Sequence, residues 1–177
     1  MCARFSTERG KFVEYETMKL QDMTEEAFAV ISQWKYDPPY DMYSFRGRPN
    51  GYLGNRDTWG KEQFCLVDNG RVVGQVSCQM EEGALWVGWA LAPEHCSQRK
   101  GHLFVQKCVK EIRKQKGYSG PCLLRVAASN QRAVKAYQKA GFTFLKAVQD
   151  EVAYSGKQED FWVMQQKEGK TGRAAWC

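Results

Sequence analysis

The run from Leu124 to Phe142, LRVAASNQRAVKAYQKAGF, constrains the fold more than any other part of this 177-residue chain. Leu124, Val126 and Ala127 make the end of a short apolar strand. Ser129 and Asn130 then offer side-chain oxygens to cap a helix, and Gly141 supplies a left-handed stop. Between cap and stop, Ala133, Val134, Tyr137, Ala140 and Gly141 recur at three- and four-residue spacing and share one face with Asn130.

The rest of the chain supplies elements that fit around this unit. Phe12 to Leu20 alternates as a first strand, and Asp22 followed by Glu25 starts a helix whose apolar face carries Ala27, Phe28, Ile31 and Trp34, with Pro38 and Pro39 ending it. Residues 36–59, rich in Tyr, Gly, Pro and Asn, read as a long connection with room for a short helix. Gln63 to Asp68 and Arg71 to Met80 flank Asn69-Gly70, a two-residue hairpin signal. Glu82-Gly83 turns the chain again into Ala84 to Leu91, ALWVGWAL, which completes an antiparallel meander.

After Pro93 and a polar loop comes a helix from about His102 to Lys116, with Val105, Cys108, Val109 and Ile112 on one face and Gly117 closing it. The strand Cys122 to Ala127 follows, so this strand-helix-strand unit should pair its two strands in parallel. Phe142 to Val152 and Phe161 to Gln166 form a last pair of strands around a turn containing Gly156. Residues 11–167 are expected to form one domain, with 1–10 and 168–177 as flexible tails; no repeat or linker divides the chain.

Seven cysteines with no C-x-x-C pair read as buried, reduced thiols, and two isolated histidines, His95 and His102, leave no metal site to expect. No apolar run is long enough to span a bilayer, and the first residues lack a secretory signal, so a soluble, cytoplasmic protein with no membrane partner is expected. Residues 97–146 hold 12 Lys or Arg against one acid, Glu111, whereas the remainder is net acidic. Such a basic half suits a polyanionic partner, either nucleic acid or a phosphate-rich cofactor. Lys107, Lys110, Lys114, Lys135 and Lys139 fall at helical spacing and equally suit a solvated helix face. The aromatic and glycine spacing of an RNA-binding sheet is absent, so nucleic acid is not expected.

The pattern S-N-x-x-A-V-x-x-Y-x-x-x-G-F at 129–142 resembles the last motif of the GCN5-related N-acetyltransferases, and within them the ribosomal-protein N-terminal acetyltransferases of bacteria. The element order β-α-β-β-β-α-β-α-β-β over residues 11–167 is similar to theirs. The resemblance implies an α/β (α+β) fold: a central mixed, twisted sheet of about seven strands with helices on both faces. It implies acetyl-CoA as co-substrate, Asn130 on the coenzyme A arm and Tyr137 near the thioester sulfur. On the residues alone, Asn130 also suits a simple helix cap and Tyr137 a core position.

In that superfamily a glycine-rich loop and a helix N-terminus bind the pyrophosphate through bare amides and the helix dipole. Here the corresponding run is Pro93-Glu94-His95-Cys96-Ser97-Gln98-Arg99-Lys100-Gly101-His102-Leu103, with Ser97 and Arg99 where the family usually has glycine. A side chain there blocks phosphate or resists positive φ; alternatively Arg99 and Lys100 bind phosphate through charge-assisted hydrogen bonds. The resemblance thus implies Leu91, Gln98, Arg99, Lys100, Gly101, His102, Leu103, Asn130 and Tyr137 as the cofactor set.

The implied reaction is direct attack by an amine on the thioester in a ternary complex, with an amide near Leu91 stabilising the oxyanion and Tyr137 protonating the thiolate. No residue stands out as base, and Cys96 lacks a visible partner that would make it a nucleophile. For the acceptor, a small-molecule amine, an aminoglycoside-like amine or a peptide, Trp34, Tyr36, Asp37, Tyr40 and Asp41 suggest aromatic walls with two carboxylates. The plainer reading makes Trp34 core and the aspartates turn starters. A monomer or homodimer is expected, and a catalytically impaired relative that binds coenzyme A or another ligand is the competing reading.

Overall fold

Alternating apolar side chains along residues 63–91 build the centre of the sheet. In the computed structural model, which describes residues 15–47, 51–151 and 156–167, β2 (Gln63–Asp68), β3 (Arg71–Glu81) and β4 (Ala84–Leu91) form an antiparallel meander. Both hairpins turn through consecutive positive-φ residues, Asn69-Gly70 and Glu82-Gly83, the geometry that matches strand twist. Phe64, Leu66, Val76, Cys78, Leu85 and Val87 point to one face and join the main core. Cys65 points to the other face, into a smaller cluster with Met23, Ala27, Ile31 and Trp34.

β1 (Lys19–Asp22) adds antiparallel to β2, and β5 (Cys122–Ala127), β7 (Gln158–Gln166) and β6 (Thr143–Glu151) complete a seven-stranded mixed sheet of order β1-β2-β3-β4-β5-β7-β6. The parallel pair is β4 with β5, connected through α2 (Gly101–Lys116). α2 and α3 (Gln131–Lys139) cover the main core, whereas α1 (Glu25–Ile31) covers the smaller cluster on the opposite face. Helices therefore lie on both faces, as expected.

Several boundaries differ for local reasons. Residues 15–17 turn and the first strand begins at Lys19; residues 12–14 of the expected strand and both expected tails lie outside the described residues. Asp22 is held in β1 opposite Phe64, so Thr24 caps α1 instead, its Oγ1 accepting from Ala27 N–H at 3.1 Å. α1 stops at Ile31, before Trp34. β7 begins at Gln158, three residues earlier than its apolar run, because Gln158–Asp160 pair along β6. The long connection carries two short 3₁₀ turns, Asp41–Tyr43 and Arg56–Thr58. Among the described residues no helix is long and apolar enough to cross a membrane.

Candidate active site

The parallel seam between β4 and β5 is only two residue pairs long, Leu85 with Cys122 and Trp86 with Leu123. Beyond Trp86, β4 stays paired with β3 as far as Leu91 opposite Gly74, and β5 stays paired with β7 as far as Ala127 opposite Phe161. Each half of the sheet follows its own antiparallel neighbour, and the seam opens. Ala92 N–H donates to Val73 O on the β3 side, and Leu85 N–H donates to Pro121 O on the β5 side. The alternation of an antiparallel ladder then turns the main-chain groups of Trp89 and Leu91 into the gap.

A cavity of about 570 Å³ occupies this gap and reaches both faces of the sheet. On the helical side it is bounded by Trp89, Phe104, Val105, Ala133 and Tyr137, and on the α1 side by Tyr36, Tyr40, Tyr43, Phe45 and Gln75. The Trp89 and Tyr137 rings meet edge-on at 5.7 Å, and both touch Phe142, whose ring lies 6.2 Å and 6.3 Å away. Burial pushes the Tyr137 phenol up to about 12, although the nearby indole N–H of Trp89 opposes the rise. That indole N–H is itself buried, points near the phenol and meets no acceptor with good hydrogen-bond geometry among the described residues. Tyr137 is thus a neutral phenol throughout the physiological range.

At one end of the cavity the loop from Pro93 to Lys100 feeds the N-terminus of α2. Ser97 and Arg99 adopt φ of 63° and 57°, the left-handed conformation that glycine takes freely. The departure from glycine therefore leaves the backbone shape intact, at a cost of about 1–2 kcal/mol per residue. Lys100 stands at the N-cap of α2 and its side chain does not cap the helix, no acid stands in the first turn, and while Leu103 and Phe104 N–H turn back to Lys100 O, the amides of Gly101 and His102 ahead of them face an incoming anion. Arg132 reaches the loop from α3, donating from Nη1 to Ser97 Oγ at 3.4 Å, with its guanidinium 3.7 Å from the centre of the Tyr40 ring. Arg99→Gly should leave the unliganded protein as stable or more so, because the strained φ is relieved. Acetyl-CoA affinity should fall by about three- to tenfold, a range discounted for the exposure of Arg99. Isothermal titration measures it, and tighter binding refutes a phosphate role for Arg99.

Six of the nine cofactor residues expected from sequence line the cavity: Leu91, Arg99, Gly101, His102, Asn130 and Tyr137. Gln98, Lys100 and Leu103 do not; Gln98 Nε2 bonds to Glu94 O, and Leu103 is exposed. Asn130 fulfils both readings, since its Oδ1 caps α3 by accepting from Ala133 N–H at 3.2 Å while the residue borders the cavity. Of the acceptor candidates, Tyr36 and Tyr40 line it. Trp34 is buried in the smaller core against Phe45, Asp37 O accepts from Tyr40 N–H, and Asp41 opens a 3₁₀ turn, so these three follow the plainer reading. Cys96 borders the cavity, but burial pushes its thiol up, and Sγ faces the carbonyls of Leu91 and Ala92. The other described cysteines, 65, 78, 108 and 122, are buried and free.

Sequence reasoning passed over Trp89, Arg132, Arg125, Phe161 and Gln75, which also line the cavity, as do Tyr43 and Phe45 at the end of the aromatic run that begins at Trp34. Trp89 had a signal, since it shares the inward period of Leu85, Val87 and Leu91 in β4. Arg125 and Phe161 had none, because their approach depends on β7 lying beside β5. Lys135 and Lys139 are exposed, as a solvated helix face requires, yet both border the cavity mouth.

A mixed sheet split between two parallel strands, with a positive-φ loop and a bare helix N-terminus at the split, defines an acyl-CoA N-acyltransferase fold. The profile of the acetyltransferase (GNAT) family matches residues 20–142, and the chain belongs to that family. No curated protein matches the sequence. Among solved structures, the spermidine N-acetyltransferase of Vibrio cholerae, determined with CoA and spermine, superposes with a TM-score of 0.68 at 15% identity, covering 86% of this chain and 96% of that one. AAC(6')-Ib in complex with ribostamycin and coenzyme A gives 0.65 at 17% identity over 85% and 93%. The ribosomal-protein-S18-alanine N-acetyltransferase of Escherichia coli gives 0.62 at 18% identity over 90% and 99%. At these identities the likeness is one of fold.

Proposed function

We propose that this protein transfers an acetyl group from acetyl-CoA to a primary amine by direct attack within a ternary complex. The observation that carries this reading is the opened β4–β5 seam, with gap-facing main-chain groups on one side and a half-buried, protonated phenol on the other. The pantetheine arm adds beside β4 as an extended strand, using the gap-facing main chain of Trp89. The pyrophosphate takes the Ser97–Gly101 loop and the α2 amides, assisted by Arg99 and Arg132. These residues suit the group: the loop already has the positive φ that lets successive amides converge on an anion.

In the reaction the amine nitrogen forms a bond to the thioester carbonyl carbon and the carbon–sulfur bond breaks. A gap-facing amide of Trp89 or Leu91 stabilises the oxyanion. Tyr137 gives its proton to the departing thiolate and recovers one from solvent, while the proton lost by the amine leaves through water. A phenol raised to about 12 is a weaker acid than an ordinary tyrosine. The same apolar walls raise the basicity of a thiolate released beside it, which narrows the mismatch.

One observation favours the competing reading of a binding protein with impaired turnover. Leu91 O already accepts a hydrogen bond from Tyr36 Oη at 2.8 Å, so a pantetheine amide must displace that phenol or bond elsewhere. Thermal shift with acetyl-CoA and release of free thiol in the presence of amines separate the two. Acetyl transfer requires both a raised melting temperature and amine-dependent thiol. A thermal shift with no thiol from any amine favours the binding protein, and neither response rejects coenzyme A binding altogether.

A further inference from the structure

A buried donor beside the cavity stands without a partner. The Trp89 indole N–H is closed to solvent, and no acceptor among the described residues meets it with good geometry. Such a group is destabilising in a folded protein, and native structures keep few of them. The N–H lies near enough to the Tyr137 phenol to favour its ionised form, yet is not aligned for a full bond to the neutral one.

The surrounding packing fixes this arrangement. Trp89 is held on β4 opposite Val76 of β3. Its ring stands edge-on to that of Tyr137, with the planes 71° apart and the centroids at 5.7 Å. Phe142, 1% exposed, backs both rings, and its N–H donates to Tyr137 O at 2.9 Å, which ties it to the end of α3. Strand, helix end and Phe142 together set the two rings against each other.

We infer that Trp89 is a positioning residue for the acid step, its indole N–H aimed at the charge that appears on Tyr137 Oη when the phenol gives up its proton. This role rests on the acetyl-transfer reading with Tyr137 as acid, and goes beyond it. In that step the Oη–H bond breaks, an S–H bond forms on the departing thiolate, and negative charge passes from sulfur to the phenol oxygen. An oxyanion in a largely apolar pocket needs a donor. The titratable groups that act on this phenol are Cys108 from α2 and Tyr43 from the first 3₁₀ turn, and both oppose its ionisation, as burial does. Among these influences Trp89 alone favours it. The indole is a donor only, so it does not take the proton; it holds the phenolate until a proton returns from solvent.

A donor with no strong bond in the resting site suits this task. It binds the neutral phenol weakly and the phenolate strongly, so it stabilises the transition state more than the ground state. Because the rings are already fixed, the bond forms as charge develops, without reorganisation of the site.

The test is a double-mutant cycle between positions 89 and 137, read as thiol release from acetyl-CoA with whichever of spermidine, ribostamycin or an alanyl peptide the wild type turns over fastest. Two changes delete the N–H: Trp89→Phe, and benzothienylalanine placed at 89 by codon suppression, a sulfur isostere that keeps the shape of the ring should Phe pack poorly. Each should lower kcat about tenfold, the lower end of what a hydrogen bond to a charged group supplies, and with the isostere the KM for acetyl-CoA should stay within about twofold. In a Tyr137→Phe background the same changes should cost less than about twofold, because no phenolate forms there. Equal slowing in both backgrounds marks a merely structural Trp89 and overturns the inference, as does an isostere with kcat within about twofold of the wild type. Unchanged turnover in Tyr137→Phe also overturns it while acetyl transfer stands. No thiol from the wild type with any of the three acceptors overturns the acetyl-transfer reading, and this role with it.

Discussion

Replacing Tyr137 with Phe is expected to lower kcat by about 10²–10³-fold while the KM for acetyl-CoA changes little, since a positioned acid contributes about that much and the ring itself remains. The ring packs between Trp89 and Phe142, so Phe keeps the contacts and loses only the hydroxyl. Removing that hydroxyl leaves the Trp89 indole N–H as it was, without a strong partner, and stability should change by less than about 1 kcal/mol. The direction of the pKa shift sets the pH behaviour. With the phenol held up at about 12, the acid form persists across the working range, so kcat in the wild type shows no fall from Tyr137 ionisation below about that pH. Steady-state thiol release over a pH series checks both statements. Unchanged turnover in Tyr137→Phe at saturating acetyl-CoA would remove Tyr137 as the acid, with the fold and cavity unaffected.

Phe104→Ala should produce the largest loss of stability, about 3–5 kcal/mol, read as a fall in melting temperature of roughly 6–20 °C for a chain of this size. Phe104 is 2% exposed and sits in the first turn of α2, where it packs down on the sheet. Its ring fits because residue 74 of β3 is glycine: a Cβ there would stand 2.6 Å from Phe104 Cε2 and 2.9 Å from Cζ. Truncation leaves a hole between α2 and β3 that neither backbone can close. The same ring borders the cavity and sets the height of the α2 N-terminus, so acetyl-CoA affinity should fall with stability. Calorimetric unfolding in the presence and absence of acetyl-CoA separates the two effects. A loss under 1 kcal/mol would show that α2 is held by other contacts.

Much of the scaffold was legible because its signals are local. The Asn69-Gly70 and Glu82-Gly83 turns, the span Cys122–Ala127, and the α3 cap at Asn130 with its stop at Gly141 follow from neighbours a few residues apart. The start of α1 was less legible, since Asp22 and Thr24 are both good caps. Pairing of Asp22 with Phe64, forty-two positions away, left the role to Thr24. For the candidate site, Asn130, Tyr137, Gly101 and Arg99 came from the resemblance and do line one cavity. Trp34, Asp37 and Asp41 were drawn by composition alone to a site they do not border.

The sequence by itself determined which stretches are strands and helices, the two turns of the meander, the cap and stop of α3, most of the side chains that face inward, and the acetyltransferase pattern at residues 129–142. Periodicity, caps and turn residues act over a few positions, and the chain carries them wherever it folds. Only the tertiary structure decided that the β4–β5 seam opens after two residue pairs, because that depends on β4 following β3 and β5 following β7 along their outer edges, partners that no local pattern specifies. It also decided that Ser97 and Arg99 take a glycine-like backbone, held there by the junction of β4 with α2. The cavity lining, without a carboxylate among the described residues, arises in the same way, from residues on four strands, two helices and the loops between them whose meeting no local pattern encodes.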